Sequence, residues 1–304
     1  MNYQEGYKKN MSEKILLDTD IGTDIDDAVC LAYLLANPEC EIMGITTVTG
    51  EAEKRAMLAS ALCRVADKDI PIFPGAENPF IIPQKQKSAP QAVALKKWDH
   101  QKKFPRGEAI DFLRQTIRAN PGEIILLTIG PLTNIGLLFA VDPEIPSLLK
   151  GLVMMCGYFF HQLEGINRLE WNAFGDPHAT AIVYRANVPT HRSIGLDVTC
   201  QVTMNSKEVK QKFQSELLKP VLDFAEVWFK QYYDSITFHD PLAATTIFDD
   251  HICKFQPGKV TIELEQKDLI GFTHWKKGDL KSPHQVASEV DKERFFEHYF
   301  SVFR

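Results

Sequence analysis

The sequence predicts a single α/β domain built on an open, mostly parallel sheet with helices on both faces. Three observations carry this. Short apolar runs alternate with helix-length segments over roughly the first two hundred residues, the pattern of strands joined by helical crossovers. Several of these runs have the look of buried strands, as expected where helices cover both faces of a parallel sheet. At 304 residues and 44% hydrophobic content, the chain can fill one large core.

In chain order, the opening stretch MNYQEGYKKNMSEK is polar and lacks the apolar segment of a secretory signal. Residues 1–13 are therefore expected to form a flexible tail, and 14–304 the domain. A strand starts at Ile15, Gly22 allows a sharp turn, and Asp27 to Leu35 reads as a helix. EIMGITTVTG (41–50) is rich in β-formers, Glu53 to Val65 is helical, and IPIF is a short strand. Residues 77–107 are rich in Pro, Lys and Gln, with Trp98, Asp99 and His100 in the middle. They read either as a loop or lid over the site or as an ordinary solvated excursion.

A helix from Gly107 to Ala119 precedes a strand, the turn GPLTN with Thr133 or Asn134 available for capping, and another helix. The apolar stretch from Ile124 to Val141 is broken by Gly130, Pro131 and Gly136, which argues against a membrane span. KGLVMMCGYF (150–159) is a further strand. In LEWNAFGDPHATAIVY, Asp176 and Pro177 suit the N-cap and first position of a helix. THRSIGLDVT reads as a strand, Ser206 to Tyr233 as helix-rich, and the remainder as a β-hairpin followed by a closing amphipathic helix.

Composition narrows the functional classes. A net charge of −6 without a broad basic patch gives no reason to expect nucleic acid. The six cysteines are scattered with no CxxC pair, which fits a reduced, cytoplasmic setting.

Chemistry concentrates in ILLDTDIGTDIDDA (15–28), where Asp18, Asp20, Asp24, Asp26 and Asp27 fall within ten residues. Like charges this close repel, and burial worsens the repulsion unless a cation is present, so a hard metal ion is expected. Side chains two apart on a strand share a face, so Asp18 and Asp20 point the same way at the strand's end. Helix capping is a competing role for Asp24 but cannot account for five acids. An EF-hand loop starting at Asp18 fails, because Thr23 and Val29 stand where Gly and Glu are needed. The DxD pattern of aspartyl-phosphate hydrolases fails at Gly22, where those enzymes carry Thr or Val.

The stretch DTDIGTDIDDA resembles the signature of the nucleoside hydrolases, the inosine-uridine-preferring ribohydrolases, with two extra residues between the glycine and the final acid pair. GPLTN, the ExN pair Glu170 and Asn172, and HDP at 239–241 follow in that family's order. The resemblance implies hydrolysis of a ribonucleoside's N-glycosidic bond. It implies a calcium ion held by Asp20, Asp27, Asp240 and the backbone carbonyl of Ile129, with Asp20 also the general base toward the attacking water. Asp26, Glu170 and Asn172 would hold the ribose, and His239 would protonate or stabilise the leaving base unless it is a neutral core histidine. Trp228 and Tyr232 share a helix face just before HDP and either pack in the core or stack on a nucleobase. For an upstream asparagine usual in the family, the chain offers Asn167 or Glu164, and Glu51 stands where relatives often carry Asn. The expected partner is a small nucleoside, and a homo-oligomer, dimer or tetramer, is expected by analogy.

Two other readings use the same residues. A Mg²⁺-dependent phosphohydrolase would need a phosphate-gripping Lys, Arg or Gly-rich loop near the aspartates, and none is evident. A catalytically silent nucleoside- or Ca²⁺-binding protein would be marked by loss of Asp20 or Asp240, and both are present.

Overall fold

The computed structural model describes residues 12–231 and 233–303. The first half runs β1 (Glu13–Thr19), α1 (Asp26–Ala36), β2 (Cys40–Thr47), α2 (Ala52–Val65), β3 (Ile72–Pro74), α3 (Ala109–Ala119), β4 (Ile124–Thr128), α4 (Thr133–Val141), α5 (Ile145–Leu148) and β5 (Gly151–Met155). The second half runs α6 (Trp171–Gly175), α7 (Pro177–Arg185), β6 (His191–Ile194), α8 (Leu196–Thr199), β7 (Thr203–Asn205), α9 (Ser206–Lys212), α10 (Leu218–Gln231), β8 (Ser235–Thr237), α11 (His239–Thr245), β9 (Cys253–Ile262), β10 (Thr273–Lys277), β11 (His284–Val290) and α12 (Lys292–Ser301).

Nine strands form one sheet in the order β10-β9-β11-β6-β5-β4-β1-β2-β3, and β7 and β8 form a separate antiparallel pair. The block from β3 to β11 is parallel throughout, and β9 runs antiparallel to both of its neighbours. Because β1 pairs with both β2 and β4, the strand order reverses there. The carboxyl ends of β1 and β4 therefore flank a crevice, the place where open α/β sheets bind ligands.

Both faces of the sheet are covered, as the apolar runs predict. Ile15 and Leu17 of β1, Ile125 and Leu127 of β4, and Val153 and Met155 of β5 enter one core. Their neighbours Leu16, Leu126, Leu152 and Met154 enter the other, by the period-two alternation of a strand. Helix α1, DDAVCLAYLLA, is apolar nearly all round after its acid pair and is buried from Asp26 to Leu35. It packs against α11, and this contact carries residue 240 to the start of α1.

The structure adjusts several expectations. β1 begins at Glu13, one residue before the expected domain start, and the rest of the tail lies outside the described residues apart from Ser12. The strand in THRSIGLDVT stops at Ile194, and α8 follows, because the Asp197 carboxylate turns in to accept the N–H groups of Phe159 and Phe160 at 2.7 and 2.8 Å. No side chain caps α4. Thr133 instead donates to Asp176, and Asn134 to Asp18. Asp176 caps α7 with Pro177 at its first turn, as expected. β9 and β10 form the expected hairpin, and β11 joins it to the parallel block through β6. Among the described residues no helix is long and apolar enough to cross a membrane.

Candidate active site

Three elements deliver the acids: the end of β1 brings Asp20, the first turn of α1 brings Asp26 and Asp27, and the first turn of α11 brings Asp240. The sharp bend between β1 and α1 needs Gly22, whose φ is +123° and whose Cβ would lie 2.7 Å from Leu58. All four carboxylates are buried. One oxygen each from Asp26, Asp27 and Asp240 lies within 4.8 Å of the others, close enough for the three to share one cation. Asp20 is tied to them through its backbone N–H, which donates to Asp27 Oδ1 at 3.2 Å, and Thr19 Oγ1 donates to the same oxygen.

Burial, and then mutual repulsion, pushes the carboxyl groups of Asp26, Asp27 and Asp240 well above the usual range. Burial also raises Asp20, against the opposing pull of the Arg55 charge and a hydrogen bond from Gln86. Arg55 is fully buried, but its N–H groups go to the carbonyls of Gly50, Asp20, Ile21 and Ser88 and to the Thr23 hydroxyl. It is a fixed positive charge beside the cluster and is not free to grip a phosphate. A closely spaced, buried, all-oxygen donor set of this kind fits a hard divalent cation.

Around the acids, the Ile129 carbonyl accepts from Asn172 Nδ2 at 3.2 Å, and the same amide nitrogen donates to the Met155 carbonyl at 3.0 Å. A carbonyl has two lone pairs, so the Ile129 oxygen can still serve a cation. Glu170 accepts three backbone N–H groups, those of Gly157, Asn172 and Ala173, at 2.7–2.9 Å. It caps α6 and fixes the loop after β5, and the Cys156 thiol is a fourth hydrogen-bonding neighbour of its carboxylate. Asp18 points away from this chemistry. Its Oδ1 takes Thr46 and Asn134, its Oδ2 has no partner, and burial pushes its pKa up to about 7.

His239 is half-buried, and its Nδ1 lies 2.7 Å from Thr199 Oγ1. Burial pulls its pKa down to about 4, which makes it a neutral imidazole near pH 7. Trp228 packs against the main core and spends its indole N–H on the Ser235 carbonyl at 3.0 Å. Tyr232 lies outside the described residues. Glu51 adopts a left-handed backbone, φ 60°, and its carboxylate meets Lys54 and the N–H of Ala89. It is thus spent on holding residues 77–107. Asn167 and Glu164 are both exposed, and Asn167 Oδ1 closes its own turn on Leu169.

Residues 77–107 lie against the aspartate loop. Gln86 Nε2 donates to Asp20 Oδ2, Gln91 Nε2 donates to the carbonyls of Thr23 and Asp24, and Pro90–Lys97 forms a 3₁₀ helix packed on α10 and α2. Gln86, Arg55 and Thr199 escape sequence reasoning, and Asn134 enters it only as a capping candidate. Each is an ordinary residue in an ordinary segment, and only the chain's long-range approach gives it a role.

A sequence model of the family described as inosine-uridine preferring nucleoside hydrolase matches residues 15–297. The chain is 27% identical over 314 residues to uridine nucleosidase 1 of Arabidopsis thaliana, covering 94% of this chain and 91% of that one. It is 27% identical over 312 residues to the inosine-uridine preferring nucleoside hydrolase of Crithidia fasciculata, covering 94% and 96%. The fold superposes on the purine-preferring ribonucleoside hydrolase of Gardnerella vaginalis with a TM-score of 0.83 at 24% identity, over 96% of this chain and 98% of that one. The match runs through the aspartate loop, the GPLTN turn and the acid of α11, and with the relatives similar over nearly their whole length it places this chain in the inosine-uridine preferring nucleoside hydrolase family, as an enzyme that hydrolyses ribonucleosides.

Proposed function

We propose that the chain cleaves the N-glycosidic bond of a ribonucleoside to ribose and free base with water activated by Asp20, at a calcium site formed by the aspartate cluster. The observation that carries this reading is the convergence of Asp26, Asp27 and Asp240 beside Asp20 at the strand-order reversal. Asp27, Asp240, Asp20 and the Ile129 carbonyl would hold the cation, and Asp26, grouped with Asp27 and Asp240, would stand between the cation and the sugar. When bound, calcium supplies oxygen coordination that orients the sugar hydroxyls and polarises a water.

Asp20 accepts the water's proton as the new bond to C1′ forms and the bond to the base breaks. The charge that builds on the ribose is oxocarbenium-like. Asp26, Glu170 in place of its Cys156 thiol contact, and the free Oδ1 of Asn172 receive ribose hydroxyls, where binding energy can distort the sugar. His239, oriented by Thr199, offers a hydrogen bond to the departing base. The test is reducing-sugar release from inosine, adenosine, guanosine, uridine and cytidine with wild type and Asp20→Asn, in calcium and in chelator. Sugar from at least one nucleoside, lost in the variant and in chelator, is expected. No sugar from any of the five by folded, calcium-loaded protein would overturn the reading.

A further inference from the structure

We infer that Gln86 is a positioning residue for Asp20, and that its side-chain amide links the base to the α6 segment through Trp171. This rests on Asp20 acting as the base.

Gln86 is buried, at 8% exposure, and every polar atom of its amide is engaged. Trp171 Nε1 donates to Gln86 Oε1 at 2.6 Å, while Gln86 Nε2 donates to Asp20 Oδ2 and to Thr23 Oγ1, both at 2.8 Å. An indole nitrogen can only donate, so Trp171 fixes which end of the amide is the oxygen. The NH₂ end must therefore face Asp20. This orientation follows from donor and acceptor chemistry, without the usual amide ambiguity.

The backbone around Gln86 is held as firmly. Its carbonyl accepts the Gly50 N–H at 3.2 Å, and a Cβ on Gly50 would fall 2.6 Å from that oxygen. Gln91 donates to the carbonyls of Thr23 and Asp24 at 3.0 and 2.9 Å, and the Thr23 hydroxyl reaches the Ser88 carbonyl at 3.3 Å. Thr23 and Asp24 lie in the part of the loop that is longer than the family signature. The extended loop is thus the dock for residues 84–91, and Gln86 is the group that this dock presents to the base.

With Oδ2 held by Gln86, Asp20 Oδ1 faces the GPLTN turn, where a Cβ on Gly130 would lie 2.8 Å away. One carboxylate oxygen is anchored and the other is left for chemistry. Trp171 belongs to the same short helix as Asn172, so the amide also sets the distance between the base and a group that holds the sugar. A misplacement near 1 Å in such an arrangement costs on the order of 100-fold in rate.

The experiment is a double-mutant cycle on kcat with inosine and uridine in calcium, using Gln86→Met, Trp171→Phe and the pair, with melting temperatures and Asp20→Asn in parallel. Trp171→Phe removes the indole N–H together with the five-membered half of the ring, and because the residue is 47% exposed little core packing goes with it, so the melting temperature separates loss of the link from loss of packing. Expected is a loss of about 10- to 100-fold for Gln86→Met, a smaller loss for Trp171→Phe, and a double variant no slower than Gln86→Met alone, with melting temperatures preserved. Losses that multiply, or both single variants at the wild-type rate while Asp20→Asn is inactive, would overturn the inference. An active Asp20→Asn would instead break the assignment of the base.

Discussion

The backbone N–H of Asp240 donates to Oδ2 of Asp26 at 3.3 Å, joining the first turns of α11 and α1 across 214 positions of chain. Two helix starts, each carrying an acid, thus meet head to head. The N-terminal partial charges of both helices offset part of the repulsion, and a cation would offset the rest.

Asp240→Asn should therefore act in opposite directions with and without the cation. In chelator, removing one of the crowded charges should stabilise the fold by on the order of 1–3 kcal/mol and raise the melting temperature. In calcium the variant should melt below wild type and lose more than about 100-fold in activity. Melting curves in the two buffers decide it, and equal shifts of the same sign would contradict the cation site.

Asn134 bridges three segments, donating to Asp18 Oδ1 and the Thr47 carbonyl and accepting the Ala76 N–H at 2.7–3.1 Å. Asn134→Ala removes all three bonds; Asp18 Oδ1 keeps Thr46 and the Thr47 carbonyl keeps the Gly75 N–H, so only the Ala76 N–H is left without its partner, and the cost should be about 1–3 kcal/mol. Urea denaturation would measure the loss, and a variant of wild-type stability would show that the bridge is dispensable.

His239→Ala should slow a nucleoside by about 10- to 100-fold, through loss of the hydrogen bond to the leaving base. An aryl riboside with a good phenolate leaving group needs no such help, so its rate should be nearly unchanged. Equal losses on both substrates would make His239 a structural residue.

Away from the site, His191 and His284 sit edge to face at 4.7 Å beneath Tyr184, and both ring nitrogens of His191 lack partners. Burial holds His191 well below its ordinary pKa and pulls His284 down to about 4. Unfolded histidines titrate near 6.5. Below that pH the unfolded chain binds protons that the folded chain refuses, so stability should fall as pH drops from about 6.5 toward 4. The slope is at most about 1.4 kcal/mol per pH unit for each histidine. His191→Phe should flatten the decline, as read from urea midpoints at several pH values. An unchanged slope would exclude His191 as a contributor.

The sheet was legible because its central strands are buried on both faces and read as continuous apolar runs. The acids were legible because helix capping cannot account for five in ten residues, although Asp18 proves to be a structural acceptor for Thr46 and Asn134. Roles that depend on distant approach were not. Asn134 looked like a helix cap, yet its amide is spent on Asp18, 116 positions away. The three backbone N–H groups that Glu170 accepts were not legible either, because they depend on the loop after β5 folding back onto it. Gln86 sits in a segment of lysines and prolines where composition suggests solvent, and only the docking of that segment on the aspartate loop turns it toward Asp20.

The most direct measurement of the central claim is proton NMR of ribose in the first moments of hydrolysis, with the whole calcium-loaded enzyme and the fastest nucleoside of the five. Attack by a water that Asp20 deprotonates displaces the base from the opposite face, so α-ribose should appear first from the β-nucleoside and only later mutarotate. Ribose released first as the β anomer would mean a covalent intermediate on the enzyme and would contradict the account.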